Sequence, residues 1–192
     1  MKSLIVFYSG SGNNTALAYH IEKKLACDIE EIVPERKRTN FSILLDIAFN
    51  RLPAVKPLQA NLREYEMVIL VAPVWNARMA SPMRTFVKEY GAGIEACAFI
   101  SLCGGRDGQR QKIVDQLMEL LHDEPIAVEE LALRDLFKDG RHADVKNVSN
   151  YRVTENDFSF FDDAIDNFLR RVGVFPMTTD RKEAYNSRAM DQ

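Results

Sequence analysis

Residues 4–8 (LIVFY) and 67–72 (MVILVA) are apolar from end to end, and both runs are too short to be buried helices. A strand with no polar position must be covered on both faces, which demands a parallel sheet enclosed between helices. Residues 96–102 and 126–133 read as two further strands, and 29–33, closed by Pro34, as a shorter one. Helical spacing fills the intervals. Leu17, Ile21 and Leu25 share a face after the first strand, and residues 41–52 keep apolar positions at helical spacing until Pro53 and Pro57 break them. Pro82 opens a helix with Met83, Phe86, Val87 and Tyr90 inward, and residues 109–121 bring Ile113, Val114, Leu117, Leu120 and Leu121 to one side. Thr154 is placed to cap a closing helix that carries Phe158, Phe161, Ile165, Phe168 and Leu169. Strict alternation of strand and helix predicts an α/β fold with helices on both faces of a parallel sheet.

In such sheets a ligand sits beyond the carboxyl ends of the strands. Three segments lie there. The first is Ser9-Gly10-Ser11-Gly12-Asn13-Asn14-Thr15, seven small uncharged residues running into a helix. The first backbone N–H groups of a helix have no intrahelical partner and the dipole favours negative charge, so strand, small polar turn and helix together form an anion cradle. A plain helix cap is the competing reading, although one of the seven residues would serve for that. A Walker A loop is excluded, because no lysine lies between Lys2 and Lys23. A dinucleotide fingerprint starts well at Gly10 and Gly12 but has Thr15 in place of the third glycine; Glu30 or Glu31 as ribose acid keeps that reading open. A hydroxyl-rich loop better suits a terminal phosphate. The second segment, Pro73-Val74-Trp75-Asn76-Ala77, carries the one tryptophan of the chain, and the third is Cys103-Gly104-Gly105-Arg106-Asp107-Gly108. An aromatic plate with backbone donors near a phosphate cradle suits a planar heterocycle bearing one phosphate.

Composition narrows the function classes. A net charge of −3 over 192 residues gives no electrostatic footprint for nucleic acid or a membrane surface. No apolar run approaches the roughly twenty residues that span a bilayer, and Met1-Lys2 leads straight into a strand without a leader pattern. The odd set Cys27, Cys97 and Cys103 has no CxxC spacing, and His20, His122 and His142 are scattered, so neither a disulfide framework nor a metal site is expected. The chain therefore reads as cytoplasmic, with one domain over residues 1–172 and a polar tail over 173–192. The run at 35–38 reads as a solvated loop, Cys103 as a small apolar strand-end residue rather than a redox thiol, and Arg106 as either a ligand or a solvated charge. Residues 134–153 are polar and take no clear element; a loop of that length is usually functional or partly ordered.

These residues resemble the flavodoxin-like family over nearly the whole chain. The resemblance implies a three-layer α/β/α sandwich around a five-stranded parallel sheet in strand order 2-1-3-4-5. FYSGSGNNTALA is similar to the family's phosphate loop, implying that Ser9, Ser11, Gly12, Asn13, Asn14 and Thr15 hold the phosphate of flavin mononucleotide (FMN). VILVAPVWNARMASPMRTFV resembles the loop that packs on the flavin ring and implies contacts from Pro73, Val74, Trp75, Asn76 and Ala77. SLCGGRDG resembles the loop on the other side of the ring and implies Cys103, Gly104, Gly105 and Arg106. The chain departs from the family pattern at Asn14, an extra asparagine before Thr15, so either residue takes the usual threonine position.

With FMN bound, the cofactor would supply the redox chemistry and the protein would tune it. Arg78, Arg84, Arg106 and Arg110 stand against the lone Asp107 in the flavin-side loops, and positive charge there favours two-electron chemistry. This points to an oxidoreductase passing electrons or hydride from NAD(P)H to a small acceptor such as a quinone or flavin, closed as a homodimer. Two alternatives stand beside it: a one-electron carrier serving a redox partner protein, and a cofactor-free binding module. No residue is assigned as catalytic acid or base.

Overall fold

Every side chain of β1 (Ser3–Phe7) and β3 (Met67–Val71) is buried, as their uninterrupted apolar runs require. In the structure, a computed structural model describing residues 1–105, 108–137 and 150–174, these strands lie side by side and parallel, with Ile5 opposite Ile69. The edge strand β2 (Asp28–Glu31) joins the other side of β1. A short hairpin of β4 (Val74–Trp75) and β5 (Arg78–Met79) follows β3 in the chain, and β6 (Cys97–Cys103) and β7 (Ala127–Ala132) complete the sheet. The five-stranded sheet runs β2-β1-β3-β6-β7, all pairs parallel. Without the hairpin strands in the count, that is the expected order 2-1-3-4-5.

Alternation along the strands splits the core into two layers. Ile5, Phe7, Ile69, Val71 and Ile100 meet α1 (Asn13–Leu25) and α5 (Phe158–Val172), through Leu17, Ile21, Phe158, Ile165 and Phe168. Leu4, Val6, Val68, Leu70 and Phe99 meet α3 (Ser81–Tyr90) and α4 (Gln109–Leu121), through Met83, Phe86, Val87, Ile113 and Leu117. Thr154 does cap the closing segment: it exchanges bonds with Asp157 around a 3₁₀ turn that leads into α5.

The helix α2 (Asn40–Phe49) departs from the amphipathic pattern. Its apolar residues Phe41, Leu44 and Phe49 are 68%, 60% and 66% exposed, whereas Asp46 alone is buried among its described side chains. The carboxylate is held by the Arg38 guanidinium and by Ser81 Oγ, which donates to Oδ2 at 2.6 Å. A charge pair and a hydroxyl thus anchor the helix where an apolar stripe ordinarily would. A 3₁₀ turn over Leu133–Phe137 leads into the 134–153 stretch, of which 138–149 lie outside the described residues, as does the tail read over 173–192 from 175 onward.

Candidate functional site

The first loop folds as a left-handed turn into α1. Gly12 is the N-cap at φ +93°, a conformation open to glycine, and its N–H is accepted by Ser9 Oγ at 3.0 Å. No side chain caps α1, and its ladder begins only at Ala16 N–H to Gly12 C=O, 3.0 Å. The N–H groups of Asn13, Asn14 and Thr15 therefore leave the helix end without intrahelical acceptors. The exposed Ser11 and half-buried Ser9 and Thr15 surround this end with hydroxyls.

Asn13 and Asn14 are both buried, and their side chains point into the fold rather than to the loop. Asn13 Nδ2 donates to the Tyr151 carbonyl at 2.9 Å, and its Oδ1 accepts the Val153 N–H at 3.1 Å. The Asn14 amide is spent on Leu102. Both residues can offer a ligand only their backbone N–H. The end of the unassigned 134–153 stretch thus acts as a clamp on α1.

The second loop is a hairpin. β4 and β5 pair Trp75 with Arg78, and the two-residue turn Asn76-Ala77 has φ of +50° and +58°. This mirror-image turn matches the twist of the strands, but Ala77 hides it in the sequence because glycine usually stands there. Gln116 of α4 secures the hairpin, donating from Nε2 to Ala77 C=O at 3.1 Å and accepting the Met79 N–H at 3.2 Å. Trp75 is half-buried and meets the Tyr8 ring edge-on, with centroids 5.9 Å apart. A Cβ on Gly10 would stand 3.7 Å from Trp75 Cζ2, so the first two loops touch. Tyr8 was not singled out from sequence, yet it seats the plate. Burial pushes its phenol above the ordinary value, opposed by Arg38 and reinforced by Asp46.

The third loop divides. Gly104 is exposed, whereas Gly105, at φ +79°, is turned to β7: a Cβ there would lie 2.7 Å from Ala132 Cβ. Cys103 is buried, its thiol pushed up to about 11 by burial, with Glu130 adding to the effect. It is a packed strand-end residue, not a nucleophile. Gln109 Nε2 donates to Glu130 Oε1 at 3.3 Å beneath it. Arg106 and Asp107 lie outside the described residues. Asn76, Ala77, Gly108 and Gln109 face one another across an open cavity of about 600 Å³, which brings the second and third loops together. Pro73 and Val74 are half-buried at the base of the hairpin.

Two sequence readings change here. Glu30, kept open as a ribose acid, is committed to backbone: its carboxylate accepts the N–H groups of Gln59 and Ala60, the latter at 2.8 Å. Arg78 and Arg84, read as ring-side charges, instead converge on Asn50. No local pattern marks Asp46, Arg38 or Gln116 as supports of the site, since their partners are 35, 8 and 39 positions away.

No protein-family model matches the sequence. Among solved structures, the chain resembles a Lactobacillus acidophilus flavoprotein solved in complex with FMN, with 19% identity, TM-score 0.58, and 67% of this chain and 92% of that one covered. A Bacteroides uniformis protein assigned as a flavoprotein matches with 17% identity and TM-score 0.60 over 68% and 90% of the two chains. One from Bacteroides eggerthii, assigned likewise, matches with 17% identity and TM-score 0.56 over 84% and 96%. These likenesses show a flavodoxin-like fold. Among the described residues no helix is long and apolar enough to cross a membrane.

Proposed function

We propose that this flavodoxin-like chain binds FMN and works as an oxidoreductase that takes electrons or hydride from NAD(P)H and gives them to a small acceptor such as a quinone or flavin. One observation carries the reading: the loop after β1 ends in an uncapped helix N-terminus while both asparagines that could cap it are occupied elsewhere. Free N–H groups ringed by hydroxyls are the donor set a phosphate dianion needs. Ser9, Ser11, Gly12 and Thr15, with the backbone N–H groups of Asn13 and Asn14, would hold that phosphate. Pro73, Val74, Trp75, Asn76 and Ala77 would orient the ring from one side, and Cys103, Gly104 and Gly105 from the other, with Arg106 as a further candidate. FMN, when bound, would supply the electron-pair chemistry. The bound flavoprotein neighbour supports the choice of ligand.

Trp75, backed by Tyr8, would exclude water from one ring face, and Gln116 would keep the hairpin in place. A homodimer belongs to the same reading, supported by the exposed Phe41, Leu44 and Phe49 on α2, an apolar row that lone solvated helices rarely present.

The test is an absorbance spectrum of the purified protein before and after FMN addition and desalting. A retained yellow band is expected, followed by bleaching with NAD(P)H in the absence of oxygen. A protein that refuses FMN would sink the reading. Retained flavin that NAD(P)H leaves unbleached would shift it to a one-electron carrier.

A further inference from the structure

Two cavities flank Gln116 beside the hairpin: the one of about 600 Å³ between the second and third loops, and a smaller one of about 290 Å³. Arg78 and Lys112 line the larger, Arg84 and Lys88 the smaller. Arg78 Nη1 donates to Asn50 Oδ1 at 2.9 Å, and Arg84 Nη1 donates to the same oxygen. Arg84 Nη2 reaches the Arg51 carbonyl at 3.5 Å, and its buried Nε has no acceptor among the described residues. Among the described residues neither guanidinium is within ion-pair distance of a carboxylate, and the acids in the groove, Asp115 and Glu119, both sit on α4. Two like charges on one neutral oxygen repel, and a buried N–H without an acceptor is costly. Burial, and next the Arg78 charge, lower the proton affinity of Arg84, with Asp46 countering. The arrangement is stable only for lack of something better to bind: a single amide oxygen stands where a multivalent anion would satisfy all these donors. Guanidinium forks match phosphate oxygens, and the combined space suits a nucleotide.

We propose that this groove binds the phosphate groups of a nucleotide co-substrate, the diphosphate common to NADH and NADPH. The proposal rests on the pyridine-nucleotide reading of the site, and it places the diphosphate beside the hairpin that carries Trp75. Asn50, at φ +51° after α2, would yield its two arginines to the incoming phosphates.

The experiment is calorimetric titration of the full chain, with and without added FMN, using ADP and then inorganic pyrophosphate as a competitor. Binding of ADP is expected, displaced by pyrophosphate. Arg84→Gln and Arg78→Gln should each weaken it by about tenfold, the loss of one charge-assisted bond. Lys112→Gln, an exposed change that leaves folding intact, should weaken it about threefold, and the remote Lys23→Gln should not. No ADP binding at millimolar concentration, or binding equal in wild type and all three groove variants, overturns the proposal. The flavin reading is judged separately: a yellow protein without ADP binding loses only the groove.

Discussion

Asn14 stands in for a missing strand. Its Nδ2 donates to the Leu102 carbonyl at 3.0 Å and its Oδ1 accepts the Leu102 N–H at 2.9 Å. β3 ends opposite Ile100 while β6 continues to Cys103, so the lane beside Leu102 has no backbone to fill it. A side-chain amide from α1 satisfies both groups in the geometry of a ladder.

Asn14→Ala should therefore destabilise the protein by about 2–4 kcal/mol, because two buried backbone groups lose their partner together. Urea unfolding would read it as a lower midpoint with an unchanged slope. A loss below about 1 kcal/mol would mean that water replaces the amide.

Ser11→Asp tests the cradle. Ser11 is exposed and pairs with nothing among the described residues, so the variant should fold normally. A carboxylate beside a bound phosphate should weaken FMN by about tenfold or more. Fluorescence titration that finds unchanged affinity would move the phosphate elsewhere.

Ala77 holds φ +58° at a position suited to glycine. Relief of that strain, less the extra freedom glycine gives the unfolded chain, should make Ala77→Gly more stable by about 0.5–1 kcal/mol. Thermal unfolding would show a raised midpoint, and a lowered one would mean that the alanine methyl packs against the cavity wall.

Acid should loosen the α1–α5 seam. Asp162 accepts from His20 at 3.0 Å and pairs with Lys24 at 2.9 Å. Burial alone would raise its carboxyl, but Lys24 and His20 together hold it below its ordinary value of 3.8. A depressed carboxyl adds stability that is complete above the ordinary value and is lost as pH falls through the lower, folded one. Urea midpoints of wild type and Asp162→Asn should differ at neutral pH and converge as the pH falls well below the ordinary carboxyl value. A gap that stays unchanged into acid would show that the charge on Asp162 contributes nothing.

Ser101 is fully buried on β6, and among the described residues its hydroxyl has no partner. Ser101→Ala should be neutral or gain up to about 1 kcal/mol, since an unpaired hydroxyl leaves the core. A clear loss in a denaturation curve would reveal a buried water bound to that oxygen.

The sheet was legible because its rule is local. Residues 4–8 and 67–71 contain no polar side chain after Ser3, and only a doubly covered parallel strand tolerates that. The first loop was legible for a similar reason, seven small residues between strand and helix. What stayed hidden depends on partners far away in the chain. Nothing near Asn13 or Asn14 announces that their side chains serve residues 151–153 and 102, so both looked like ligands by the same token as Ser11. α2 has apolar residues at helical spacing, yet Asp46 is its buried residue, because Arg38 and Ser81 meet it from other segments. The hairpin escaped notice because an alanine occupies a left-handed position.

The clamp on Asn13 gives the fold a chronology. The backbone it binds at Tyr151 is 138 positions downstream, which at about 5–20 residues per second is roughly 7 to 28 s of synthesis. Contacts of such long range are also late to form in folding, since closing a large loop must precede them. A growing chain is thus expected to complete its sheet strands first and to finish the mouth of its first loop last, once residues 151–153 have joined α1.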